Sequence, residues 1–296
     1  MRIACAGEAM VELSLDGDSA TMGFAGDVLN TAIYLRRNLP PDHDVSFVSL
    51  VGDDVLSDRL RDFVASEGID VSGMTRLEGL LTGLYAINTD ENGERSFLYW
   101  RENSAARRLF QRDGFEALEG AGVVYLSAIT LAVISPEARE SLFSWLSDYR
   151  SRGGLFAFDS NYRPRLWSDV STARAVVERA WRMSDIALPS VDDEMALFGD
   201  DDEQGVIERF RSWNVGKGSL KRGATGPLSI REEDAVEQTF EPAERVVDTT
   251  AAGDSFNGGF LAEYIKSGSL ADAMMAGHRC ASHVVGFRGA IVPKSA

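Results

Sequence analysis

The segment Val247-Asp248-Thr249-Thr250-Ala251-Ala252-Gly253-Asp254-Ser255-Phe256-Asn257-Gly258-Gly259-Phe260 gathers the residue types best suited to chemistry. A short β-type run, residues 245–247, enters a loop of small side chains, and Phe256, Phe260 and Tyr264, spaced by four, mark a helix behind it. Small residues let backbone N–H groups converge at a helix start, where the macrodipole favours an anion. Asp254 falls in the first turn. A carboxylate there either caps the helix or serves as a general base beside a bound phosphate. Gly258-Gly259 within the helix costs about 1 kcal/mol each relative to Ala, which implies close packing against another backbone.

Other catalytic patterns are missing. Lys217 precedes Gly218 but lacks the upstream glycine of a G-x-x-x-x-G-K-[ST] loop, and no H-R-D loop occurs. Three histidines, His43, His278 and His283, leave little scope for a Ser-His or Cys-His pair. Cys5 and Cys280 form no CxxC motif and no disulfide framework. The 296 residues carry 30 Lys+Arg against 46 Asp+Glu, a net charge of −16 that repels nucleic acid and anionic membranes. A local basic pocket for a small anion remains compatible with that charge. No run of 18 apolar residues spans a bilayer. The opening Met1-Arg2-Ile3-Ala4-Cys5-Ala6-Gly7-Glu8 reaches a charge too early for a signal peptide, so a cytoplasmic protein is expected.

The elements that must position the loop alternate. Residues 3–6, 45–51, 123–127, 155–159 and 185–188 read as buried strands, short and apolar between Gly, Asp or Ser. Helical patterns lie at about 27–38, 54–67, 136–152, 171–182 and 203–213, and Ser135-Pro136-Glu137 is a helix start. This alternation implies a mainly parallel sheet covered on both faces. Residues 11–24, with a turn at Asp16-Gly17-Asp18, and 80–102, with a hairpin turn at Asp90-Glu91-Asn92-Gly93-Glu94, break the rhythm. Two such antiparallel ribbons suggest a small lid over the strand ends. Residues 1–296 are expected to form a single domain.

Against this background the 248–254 loop resembles the D-T-x-G-A-G-D signature of the ribokinase-like (PfkB) carbohydrate kinases. The stretch Gly23-Phe24-Ala25-Gly26-Asp27-Val28-Leu29-Asn30-Thr31-Ala32 resembles the family's first signature, and the resemblance covers essentially the whole chain. Within the family, Gly83-Leu84-Tyr85, the run Gly93–Arg101 and the run Asp159–Trp167 resemble the branch acting on 2-keto-3-deoxygluconate. The resemblance implies a three-layer α/β/α fold with an antiparallel β-lid, and transfer of phosphate from ATP to the 6-hydroxyl of that sugar acid. The alternatives are a kinase for a neutral sugar such as fructose, or a non-catalytic sugar- or nucleotide-binding regulator.

The same resemblance assigns residues. Asp254 becomes the general base, with the amides of Ala251, Ala252, Gly253 and Asp254 as the anion hole. Gly26, Asp27, Asn30, Tyr85, Tyr99, Arg101 and Arg163 become sugar-acid ligands, the two arginines gripping carboxylate and hydroxyls. Asn161, Arg163, Lys221, Gly223 and Gly226, with residues 251–253, would border ATP, while His278 is given no chemistry. The family's N-x-x-E magnesium motif reads Val191-Asp192-Asp193-Glu194, so Glu194 is expected to organise Mg²⁺ through water, with Asp192 and Asp193 as candidates to share that work. Asp248 and Thr250 match positions that bind a monovalent cation, K⁺, in relatives. Assembly into a homo-oligomer through the lid is also implied.

Overall fold

The computed structural model describes residues 1–89, 95–111, 114–231 and 238–294, so the expected turn at residues 90–94 lies outside the described residues. Along the chain run β1 (Arg2–Ala6), α1 (Asp27–Asn38), β4 (Asp44–Val51), α2 (Val55–Ser66), β5 (Met74–Arg76) and β8 (Val123–Ser127). They are followed by α3 (Ala128–Val133), α4 (Pro136–Ser151), β9 (Leu155–Asp159), α5 (Val170–Met183), β10 (Ile186–Leu188) and α6 (Val191–Phe198). The last elements are α7 (Glu203–Ser212), β11 (Lys217–Leu220), β12 (Leu228–Ser229), α8 (Ala252–Ser267) and α9 (Leu270–Val284). The strands form one sheet in the order β12-β11-β10-β9-β8-β1-β4-β5, parallel except for β12.

Side chains alternate across this sheet, as the strand period requires. Ile3 and Cys5 enter one apolar cluster with Val28, Leu60, Phe256 and Met274, hence with α1, α2, α8 and α9. Ala4 and Ala6 enter the other with Leu131, Leu142, Val177, Leu197 and Phe210, hence with α3 to α7. The expected three layers follow directly. Residues 245–247 are the exception: they form no strand, and the N–H groups of Val247 and Asp248 both donate to the Val285 carbonyl.

The two ribbons form a second sheet, β3-β2-β6-β7, from β2 (Met10–Asp16), β3 (Ser19–Ala25), β6 (Gly83–Thr89) and β7 (Arg95–Trp100). Each ribbon is antiparallel, and a parallel pairing of β2 with β6 joins them. The inner face packs Met10, Ala25, Tyr85 and Ile87 against Ala290. Ala25 therefore points its methyl into this cluster.

Helices α1 and α8 approach closely because the glycines of α8 permit it. A Cβ on Gly258 would stand 2.6 Å from Tyr34 Cβ and 2.7 Å from the Leu35 nitrogen, and one on Gly259 would stand 2.8 Å from Cys280 Cβ. The glycine pair thus serves the backbone packing its cost implied. Gly258→Ala should destabilise the fold by about 1–3 kcal/mol through overpacking. A lowered midpoint in urea unfolding checks this, and an unchanged midpoint would contradict it.

Candidate active site

Strand carboxyl ends in a parallel sheet leave a crevice where ligands bind. Here that edge carries Glu8 beyond β1, Ser127 on β8, Asp159 on β9 and Lys221 beyond β11. The first turns of α1 and α8 meet above it, and Asn30 Nδ2 donates to Asp254 Oδ2 at 2.8 Å. Gly26 precedes α1 because a Cβ there would collide with the Glu8 carbonyl. The N-cap of α8 is Ala251, at φ 60° and ψ 18°, a left-handed conformation that strains a non-glycine residue. Asn161 is strained as well, at φ 23°.

Asp254 keeps a solvent-facing side at the foot of this crevice. Burial, followed by the charge of Asp27, pushes its carboxyl up to about 8, while the Asn30 hydrogen bond and the Lys221 ammonium oppose the rise. Asp27 is also raised, first by burial; it accepts from Ser127 Oγ and from Asn161 Nδ2, the latter at 3.0 Å. Asn161 therefore turns its amide toward Asp27, on the sugar side of the expected site. Asn30 Oδ1 is buried without a partner, an acceptor left over beside the Asp254 carboxylate.

The lid closes the opposite side. The Tyr85 hydroxyl donates to Glu12, and its ring stacks on Tyr99 at 5.7 Å between centroids. Burial and then the Glu12 charge raise the Tyr85 phenol far above its ordinary range, with Asp254 among the nearby charges. Arg101 is not a free fork. Its guanidinium is buried in an ion pair with Glu8, whose other oxygen accepts from Ser104 Oγ at 2.5 Å. Arg163 stays exposed, bonded to the Tyr162 carbonyl at 2.8 Å and facing Asp193 at 3.5 Å.

The expected anion loop spans residues 251–254, and the Ala251 N–H has no described backbone acceptor. The Ala252 N–H donates to the Thr249 carbonyl at 3.1 Å, whereas Gly253 and Asp254 have no described backbone acceptor, as expected of a first helical turn. Asp248 braces this loop: Oδ1 accepts from the Thr250 amide and hydroxyl at 3.0 and 2.7 Å, and Oδ2 from the Gly289 amide at 2.7 Å. Lys221 Nζ lies between Asp159 Oδ1 at 2.7 Å and Asn257 Oδ1 at 3.0 Å. Beyond it Gly223 opens a one-turn 3-10 segment that ends at Gly226, both at positive φ.

Glu194 has no solvent exposure; Trp181 Nε1 donates to Oε1 and Arg209 Nη2 to Oε2, each at 3.0 Å. Its carboxylate is sealed inside the α5–α7 layer and does not reach the crevice. One residue earlier on the helix, Asp193 faces the crevice instead, held by Ser160 and Arg163 and raised by burial. Among the described residues, no three His, Cys, Asp or Glu side chains are grouped to hold a metal ion. A divalent cation here would rest on one or two carboxylates and on substrate phosphates, the usual situation of Mg²⁺.

Several residues of the crevice carried no signal of their own in the sequence. Glu8, Glu12, Ser127, Tyr125 and Asn257 join it through folding alone; only Asp159, closing an apolar strand just before Asn161, was marked by its position. His278, packed against Phe240 and bonded to the Glu241 carbonyl at 2.6 Å, has a structural environment.

A family model described as "pfkB family carbohydrate kinase" matches residues 2–296. The 2-dehydro-3-deoxygluconokinase of Escherichia coli K12 is 42% identical, covering 100% of this chain and 98% of its own length. That of Dickeya dadantii is 40% identical over 99% and 97%. The aminoimidazole riboside kinase of Salmonella enterica, solved with aminoimidazole riboside and an ATP analogue, superposes with a TM-score of 0.83 at 25% identity, covering 98% of this chain and 95% of that one.

Proposed function

Because the chain belongs to the pfkB family of carbohydrate kinases, we propose that it transfers the γ-phosphoryl group of ATP to the 6-hydroxyl of 2-keto-3-deoxygluconate. The observation that carries this reading is Asp254. Its raised carboxyl lies between the unpartnered amides of the first turn of α8 and the lid, where a hydroxyl and a phosphoryl group can meet. The O6 proton passes to Asp254 as O6 bonds to phosphorus, and the bond from phosphorus to the bridging oxygen breaks to leave ADP. The Gly253 and Asp254 amides stabilise charge on the phosphoryl oxygens. Gly26, Asp27 and Asn30 hold hydroxyls, with Tyr85 and Tyr99 above them. Lys221, Gly223 and Gly226 border the nucleotide, and Arg163 reaches the substrate carboxylate.

Mg²⁺ would supply positive charge that offsets the ATP phosphates when bound. We assign Asp193, not Glu194, to its water shell. Asp193→Asn should raise the Mg²⁺ concentration for half-maximal activity roughly tenfold, in the range typical of outer-shell partners. Glu194→Gln should lower Tm and leave the Mg²⁺ titration unmoved; the reverse pattern would return the role to Glu194. K⁺ would act at the loop braced by Asp248 and Thr250, which KCl titration in a sodium-free buffer tests.

The Arg101–Glu8 pair favours a second reading, a kinase for a neutral sugar, because it cancels the charge expected to grip a carboxylate. ADP release across 2-keto-3-deoxygluconate, 2-keto-3-deoxygalactonate, fructose, ribose and gluconate separates the two. The chain is taken to act as one cytoplasmic domain; none of its described helices is long and apolar enough to cross a membrane. Phe97, Leu98, Tyr99 and Trp100 on edge strand β7 are 39–59% exposed, which supports pairing between lids of two copies. Sedimentation of Leu98→Lys, expected to be monomeric, tests this; an unchanged assembly would refute it.

A further inference from the structure

Beneath the first turn of α8 lies a closed ring of four side chains, drawn from β8, β9, α8 and the residue just beyond β11. Lys221 donates to Asp159 Oδ1 at 2.7 Å and to Asn257 Oδ1 at 3.0 Å. Asn257 Nδ2 donates to the Tyr125 hydroxyl at 3.0 Å, and that hydroxyl points at Asp159 Oδ2 at 3.5 Å. Tyr125 and Asn257 have no solvent exposure, and Asp159 is 2% exposed. Every member works in the sense its chemistry allows: ammonium donating, carboxylate accepting, amide doing both. The ring is tied to the catalytic turn by Thr31, whose hydroxyl lies 3.2 Å from Tyr125 and donates to the Asp254 carbonyl at 3.2 Å.

The Lys221 main chain is clamped too. Its N–H donates to the Pro189 carbonyl at 2.8 Å, and its carbonyl accepts from Val191 at 3.0 Å. An ammonium has three N–H donors, and the ring uses two. Nζ stands 3.6 Å from where a Cβ on Gly253 would lie, which puts it against the turn whose amides are unpartnered. It is ion-paired with Asp159, and its charge also acts on the carboxylates of Asp193 and Asp254. Without a cation, such a site would repel a phosphoryl group.

We propose that Lys221 is a catalytic cation of the phosphoryl transfer, aimed at the phosphoryl oxygens by the Asp159–Asn257–Tyr125 ring, and not simply part of the wall around ATP. This rests on the kinase reading above. The ring fixes the ammonium before reaction, so charge developing at the first turn of α8 meets a donor that need not reorganise. The same charge favours ionised Asp254. Among the described residues, the titratable groups coupled to Asp254 include Asp27 and Tyr34 of α1, Tyr125 of β8, Asp159 of β9 and Tyr85 of β6, and none of these is cationic.

The test uses the full-length enzyme with ATP, Mg²⁺ and its best sugar. Lys221→Met should lower kcat roughly 10²–10³-fold, as loss of one donor to developing charge does. The sugar KM should move less than about threefold, and the acidic limb of the kcat/KM profile should shift to higher pH, since a lowering charge is gone. Ethylammonium should restore part of kcat in Lys221→Ala, where equimolar KCl should not. Should Lys221→Met fold poorly around an unpaired Asp159, the Asp159→Asn and Asp159→Asn/Lys221→Met variants decide. The single change should keep kcat within about tenfold and the double should lose at least 10²-fold. Equal losses in both, or a Lys221→Met enzyme within threefold of wild type, would overturn the role of Lys221. A wild-type chain that releases no ADP with any sugar would instead remove the kinase reading beneath it.

Discussion

Asp254→Asn should lower kcat by roughly 10²–10⁴-fold, the usual contribution of a positioned general base, with little change in nucleotide affinity. The substitution keeps size and the Asn30 contact but removes the proton acceptor. Activity of the wild-type enzyme should rise with pH and level off above about 8, since the base must be ionised and burial with Asp27 holds it near that value. Asp27→Asn should move this limb to lower pH, because a charge that raises Asp254 is gone. Stability should move the opposite way. A carboxyl held above its unfolded value of about 3.9 binds its proton more tightly when folded, so its contribution is complete below about pH 4. That contribution is lost as pH rises through about 8. Asp254→Asn should therefore melt above wild type at pH 8, by a margin that shrinks toward pH 4. A variant that retains activity, or that melts below wild type at pH 8, would contradict the role.

The second large effect concerns Arg101, and it is as much structural as functional. Removing one partner of a buried ion pair strands the other, at a typical cost of 3–5 kcal/mol. In Arg101→Ala the Glu8 carboxylate, 1% exposed, would keep only Ser104. For a chain of 296 residues the expected loss in Tm is roughly 5–8 °C, and differential scanning calorimetry reads it. Glu8→Gln/Arg101→Met should regain most of that stability, because neither charge is left unpaired. If Arg101 also holds the substrate, the double variant stays weak for the sugar acid; if it acts only through Glu8, KM recovers with Tm. Arg163→Ala gives the contrast. Half exposed, it should leave Tm unchanged and raise KM for the acid.

Much of the fold was legible because its signals are local. Residues 123–127 and 155–159 are apolar, short and bounded, and they are strands with those limits; the helix at Pro136–Ser151 begins at the Ser-Pro-Glu expected. The Gly258-Gly259 pair announced a close approach and makes one on each side. Residues 245–247 misled because β-branched residues favour extended backbone whether or not a partner strand exists, and here the chain follows α9 instead. The candidate site was legible where it is contiguous, in the Asp254 loop. What stayed hidden is non-local. Nothing in Glu8 alone says that it neutralises Arg101, 93 positions away, and nothing in Asn257 says that it fixes Lys221. Nor does the run of three carboxylates at 192–194 say which one is buried, because on a helix one residue turns a side chain about 100°. That step separates the partly exposed Asp193 from the fully buried Glu194.

The central claim is phosphoryl transfer to an acidic sugar through Asp254. Its most direct test is ADP release by wild type and Asp254→Asn on 2-keto-3-deoxygluconate and on fructose, side by side. Turnover of the sugar acid by wild type, little with fructose, and loss of at least about 10²-fold in the variant is the expected result. Turnover of fructose with none of the acid, or an active Asp254→Asn enzyme, would contradict it.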